Sequence, residues 1–227
     1  MADTLPLVVT FDLLSGIIAL LVSYYAFQAR RWIDNSVLNA MSFGFMLLGA
    51  ALLVEVVTTI GLGITAAQAS RLRTFELLEN LAYLILQAVA LAVIAVGYGR
   101  ATYGKTDLSA AAPSGVVAYA VTATTRTARL AGLALELYYL FLGLEFVILL
   151  VLIFIMFQGF LVYAKNRDNS SLLVLLGFAL IFVSHAVVLN SILAISGGEY
   201  LVAAAVQFLG FLSLLAFVVR SGRVGST

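Results

Sequence analysis

Two glutamate–glutamine pairs with matching spacing stand out as possible chemistry inside a largely apolar chain. They are Glu79 and Gln87 in LENLAYLILQ (78–87), and Glu199 and Gln207 in GEYLVAAAVQ (198–207). Each glutamine follows its glutamate by eight residues and precedes an arginine, Arg100 or Arg220, by thirteen. On a helix these intervals are about 12 Å and about 20 Å. Glutamate and arginine then fall near opposite faces of a bilayer, with the glutamine between them. An acid at a helix N-terminus and a base at its C-terminus both complement the macrodipole, so Glu79, Glu199, Arg100 and Arg220 read as interface and capping residues. The glutamines differ, because an amide in hydrocarbon needs a partner: Gln87 and Gln207 either hold helices together or line a polar cavity.

His185, the single histidine, lies in FVSHAVVLNS (182–191), deep in its predicted helix and close to Asn190. An ionisable group at that depth marks a candidate site. The competing reading is a neutral imidazole bonded to a neighbouring helix. Gln87, Gln207, His185 and Asn190 form the candidate polar cavity. One histidine cannot make a bis-histidine haem site within one chain, and no His/carboxylate spacing points to zinc. With no cysteine, thiolate chemistry and disulfides are excluded. Asp12, Glu55, Glu76, Glu136 and Glu145 fall near predicted helix ends, and none pairs obviously with another at mid-membrane. No nucleophile–base set, phosphate loop or metal motif occurs. The expectation is a protein without enzymatic activity, metal or cofactor.

The elements that must position these residues follow from composition. Of 227 residues, 63% are hydrophobic and 10% charged, too few charges to cover a soluble globule. Apolar runs of about 20 residues match a bilayer core. They do not alternate as barrel strands do, so the expected fold is an all-α integral membrane protein. The spacing predicts spans at 8–29, 37–60, 77–99, 141–163, 171–195 and 199–219. The start, MADTLPLVV, has no basic n-region and reads as leading into a retained helix. Tyr24, Tyr25, Trp32, Tyr163 and Tyr200 sit where an aromatic belt would. The net charge of +1, without a basic cluster, argues against nucleic acid as a partner.

The landmarks occur twice in one order. Asp12 and Glu145 open the units. DNS follows at 34–36 and 168–170, then Gly44-Phe45 and Gly177-Phe178, then the Glu–Gln–Arg series. This predicts a tandem three-helix repeat: residues 1–100 as the first unit, 141–227 as the second, and 101–140 as a linker, an extra helix or a helix extension. Segment hydropathy favours six crossings. The distribution of Lys and Arg between loops favours seven, with the N-terminus outside. A weak spanning helix costs free energy directly, so the expected count is six, with seven as the alternative.

The stretch SYYAFQARRWIDNSVLNAMSFGF (23–45), with two apolar segments after it, resembles small archaeal three-helix membrane proteins of unknown function. Those too join a first helix to a second through a basic turn followed by GF. The resemblance covers the first unit and implies no activity. A 3+1+3 arrangement is also similar to the sugar-transporting SWEET architecture, though the Pro-Gln motif of that family is missing here.

The reading that follows is a multi-pass cell-membrane protein acting as a sensor, a scaffold or a subunit of a membrane complex. Its partners would be the bilayer and a membrane protein or a second copy. The alternative is a small-solute transporter or channel, which requires Gln87, Gln207 and His185 to converge on one cavity between the units. A third reading, a quinone- or haem-associated redox subunit, rests on His185.

Overall fold

The structure is a computed structural model that describes residues 5–30, 36–65, 69–103, 133–194 and 199–224. The described residues form six helices: α1 Leu5–Ala29, α2 Ser36–Thr65, α3 Ala69–Tyr103, α4 Leu133–Asn166, α5 Asn169–Ala194 and α6 Tyr200–Val224. Each is long and apolar enough to cross a membrane. This is a polytopic, all-α membrane protein. Lipid offers no partner to backbone N–H and C=O groups, so each span satisfies them internally as helix. Most of the expected 101–140 connection lies outside the described residues. Its last part belongs to α4, which begins at Leu133, well before the predicted 141.

Each helix packs against its neighbours in sequence, and α6 packs against α1. The six described helices therefore close into a ring. Apolar residues run all round the helices, so hydrophobicity does not choose the buried faces. Val57, Phe146 and Phe157 are exposed, as lipid-facing residues are. Close approach depends on small residues. A Cβ on Gly44 would lie 2.5 Å from Ile94 Cγ1 and 2.8 Å from the Ala90 carbonyl oxygen, so only glycine lets α2 meet α3 there. Gly177 plays the same part between α5 and α6, where a Cβ would meet Leu214 at 2.6 Å and the Gly210 carbonyl oxygen at 3.1 Å.

The α4–α5 turn is cut to two residues by local chemistry. Arg167 takes a left-handed conformation (φ 50°), and its amide donates to the Tyr163 carbonyl at 2.7 Å, ending α4. Asp168 caps α5 by accepting from the Ser171 amide at 2.7 Å. Its hydrogen bonds to Ser171 hold the Asp168 carboxyl below the usual carboxylate range.

Contacts between sequence-distant helices fix their relative direction. Let α1 begin at the near face and end at the far face; α2 returns and α3 crosses again. Phe45 is nine residues from the far-face start of α2 and stacks on Phe178, nine residues from the start of α5. Gln87, sixteen residues before the end of α3, touches His185, sixteen residues after the start of α5. Phe11 and Phe208, six and eight residues into α1 and α6, also meet. All three pairs match in depth when α5 starts at the far face and α6 at the near face. With α5 and α6 reversed, the members of each pair would differ in depth by about 10 Å or more. Thus α1, α3, α4 and α6 run one way, and α2 and α5 the other.

The same registers divide the interior by height. Phe45, Phe178 and Phe211, joined by Tyr98, fill the far half with ring centroids 6.1–6.3 Å apart. The buried polar side chains Gln87, Glu145, His185 and Gln207 lie in the near half.

Candidate functional site

The near-half layer centres on His185. Its Nδ1 is 2.8 Å from Glu145 Oε2, and its Nε2 is 2.6 Å from the Gln87 amide nitrogen. The imidazole thus bridges α4 and α3 from α5. All three side chains are buried: Gln87 is 0% exposed, Glu145 2% and His185 3%. Ser184, beside the histidine, donates to the Ala203 carbonyl at 2.8 Å and ties α5 to α6 at the same level.

Glu145 escapes sequence reasoning for a local reason. With α4 expected to begin at 141, Glu145 looks like a first-turn acid at an interface. The helix begins at Leu133, so Glu145 is three turns in and its carboxylate is carried into the core. The expectation that Glu145 falls near a helix end is corrected accordingly. An α4 start before 141 was the one signal that could have revealed the pair.

The candidate cavity residues separate into three places. Gln87 and His185 come together. Gln207, also buried, is hydrogen-bonded to Tyr83 of α3, and its amide nitrogen has no partner among the described residues. Asn190 is exposed near the end of α5 and donates to Glu199 Oε2 at 3.0 Å; both line an open groove with Val183, Ala186, Val187 and Val202. Of the residues read as capping, Glu199 sits just before α6, and its carboxylate accepts from Asn190. Arg100 and Arg220 are exposed toward the far ends of α3 and α6. Glu79 belongs to α3, and its side chain lies outside the described residues.

The layer also collects acids from other helices. Counted along their helices, Asp12 on α1, Glu55 on α2, Tyr83 on α3 and Glu145 on α4 all lie in the near half with Gln87, His185 and Gln207. No described set of three His, Cys, Asp or Glu side chains could hold a metal ion.

The chemistry open to the His185 cluster is proton holding. With one proton shared by the Glu145–His185 pair, Nδ1–H donates to the carboxylate and Nε2 accepts from the Gln87 amide. A second proton places hydrogen on Nε2 whichever partner carries the other, and Nε2 then needs an acceptor. Gln87 Oε1, which has no partner among the described residues, is the acceptor at hand once the amide turns over. The short 2.6 Å contact suits such an N–H···O bond. Compared with known proteins, the chain matches no family model, no curated protein and no solved structure.

Proposed function

We propose that this polytopic membrane protein is a non-enzymatic sensor or membrane-complex subunit in which the Glu145–His185–Gln87 cluster is a proton-holding joint between α3 and the α4–α5 hairpin. The observation behind this reading is a single buried histidine bridging a carboxyl and an amide on two other helices. Taking up a proton makes the pair neutral and reverses the amide that ties α3 to α5. The joint then holds α3 differently in its two states, which is what a switch requires. The other titratable groups around the joint are Asp12 on α1, Glu55 on α2 and Tyr83 on α3. A transporter site between Gln87 and His185 is less favoured, because the two side chains touch and leave no room for a solute.

The test uses the fact that the chain has one histidine. Protein carrying ¹⁵N-histidine in lipid nanodiscs is followed by NMR as the pH is varied. The expected result is a strongly downfield Nδ1 proton that disappears in Glu145→Gln, with an Nε2 signal that shifts with pH together with the Gln87 amide. An imidazole indifferent to both pH and Glu145→Gln would reduce the cluster to helix glue. The sensor or subunit role also predicts that purification in mild detergent recovers a membrane partner or a second copy. A solitary monomer with no partner counts against it.

A further inference from the structure

Glu145, His185 and Gln87 have counterparts elsewhere in the ring. Gly44-Phe45 lies 133 residues before Gly177-Phe178, and the same interval separates Asp12 from Glu145 and Leu52 from His185. Glu79, Gln87 and Arg100 precede Glu199, Gln207 and Arg220 by a constant 120. The cluster draws Glu145 and His185 from α4 and α5, and Gln87 from α3. The corresponding trio is Asp12 and Leu52 from α1 and α2, and Gln207 from α6.

Three structural observations support this correspondence independently of the sequence intervals. The ring closes α6 on α1 as it joins α3 to α4. The corresponding helices run the same way, and the corresponding Phe45 and Phe178 stack on each other, as residues beside a twofold axis do. Beside the second trio, Phe11 and Phe208, the chain neighbours of Asp12 and Gln207, meet with ring centroids 5.7 Å apart, and the Gln207 side chain is more than nine-tenths buried with its amide nitrogen unpartnered among the described residues.

We infer that the six helices are two copies of a three-helix unit related by a twofold axis along the bundle, and that Asp12 and Gln207 form a second carboxyl–amide site in which Leu52 occupies the histidine's place. The site is a hydrogen-bonding seat for a proton-bearing ring base, filled in the first copy by His185 and closed in the second by a fully buried leucine. In this arrangement Tyr103 and Leu133 lie at opposite faces of the membrane. Arg30, Arg100, Lys165, Arg167, Arg220 and Arg223 then gather at the far face, against Arg71 and Arg73 at the near-face start of α3. That asymmetry makes the far face cytoplasmic and turns the polar layer toward the outside.

The inference stands on helix geometry, so its failure and that of the proton-holding reading are separable. In Leu52→His, a second imidazole should give its own downfield ring proton. That signal should vanish on adding Asp12→Asn and persist on adding Glu145→Gln, while the His185 signal does the reverse. A new imidazole unaffected by Asp12→Asn overturns the second site. Should Leu52→His not fold, the natively cysteine-free chain gives a second route. Single-cysteine variants Arg30→Cys and Asp168→Cys are labelled in intact cells with a membrane-impermeant thiol reagent, and again after permeabilisation. Both protected until permeabilisation is the expected result; access to only one from outside overturns the twofold arrangement.

Discussion

The near and far halves of the bundle lie in the same hydrocarbon but are held differently. The far half is a cluster of rings and branched side chains around Phe45, Phe178 and Phe211, with Gly44 and Gly177 drawing the helices together. Its ring contacts are non-directional and the same at any pH, and hydroxyl bonds such as Ser23 to the Ser42 carbonyl at 2.6 Å add to them. The near half depends on a few directional bonds through His185, Tyr83 and Gln207, and it keeps loose ends: Gln87 Oε1, Gln207 Nε2 and Ser15 Oγ have no partner among the described residues. A packed aromatic cluster offers one arrangement. A polar layer with spare donors and acceptors leaves room for an exchange of partners. In the proposed reading, rigidity belongs to the far half and the capacity to switch to the near half.

The comparison can be broken by perturbing each half in turn. The largest loss is expected for Phe45→Ala, which empties a fully buried site where two rings meet, at about 4 kcal/mol. Reversible unfolding in mixed micelles should give the same loss at every pH. Glu145→Leu follows at about 3 kcal/mol, because it strands a buried imidazole beside a hydrocarbon side chain. Its diagnostic is recovery: the double variant Glu145→Leu with His185→Leu should regain most of the loss, since an apolar pair needs no partners. A double variant no better than the single would mean that the near half, too, depends on packing.

Gly44→Ala should cost about 2 kcal/mol, since the new methyl group meets backbone at Ala90 and one helix must move. Gly159→Ala, with its nearest neighbour 3.7 Å away, should be almost neutral in the same assay. The smallest effect lies outside both halves. Asp168→Ala removes the cap of α5 and should cost about 1 kcal/mol at neutral pH. The folded-state carboxyl titrates below its ordinary value of 3.8, so its contribution is complete above that value. It fades as pH falls through the folded-state pKa, and wild type and variant should converge in acid.

Much of the site was visible as residue types and little of it as partnership. Gln87, Gln207 and His185 stand out because polar groups are expensive in lipid, and that expense is a property of composition. Asn190 stands out for the same reason, yet it reaches Glu199 at the end of the bundle, because only its position at the end of α5 decides its neighbours. Glu145 looks like an end residue on a span beginning at 141 and becomes a core residue only when α4 extends back to Leu133, the helix extension that the 101–140 segment allows.

Some features follow from the chain alone. Hydrocarbon forces backbone hydrogen bonds inside each segment, so long apolar runs become spanning helices wherever they pack. The polar and glycine landmarks mark each helix at a given depth. The sequence does not state which face of a uniformly apolar helix turns inward, or which way a distant helix runs beside it. Those depend on close approach at Gly44 and Gly177 and on ring contacts between helices more than a hundred residues apart. Only the closed ring brings Gln87, Glu145 and His185 to one height, because lateral packing between helices is set by shape at contact and not by the hydropathy that drives each helix into the membrane.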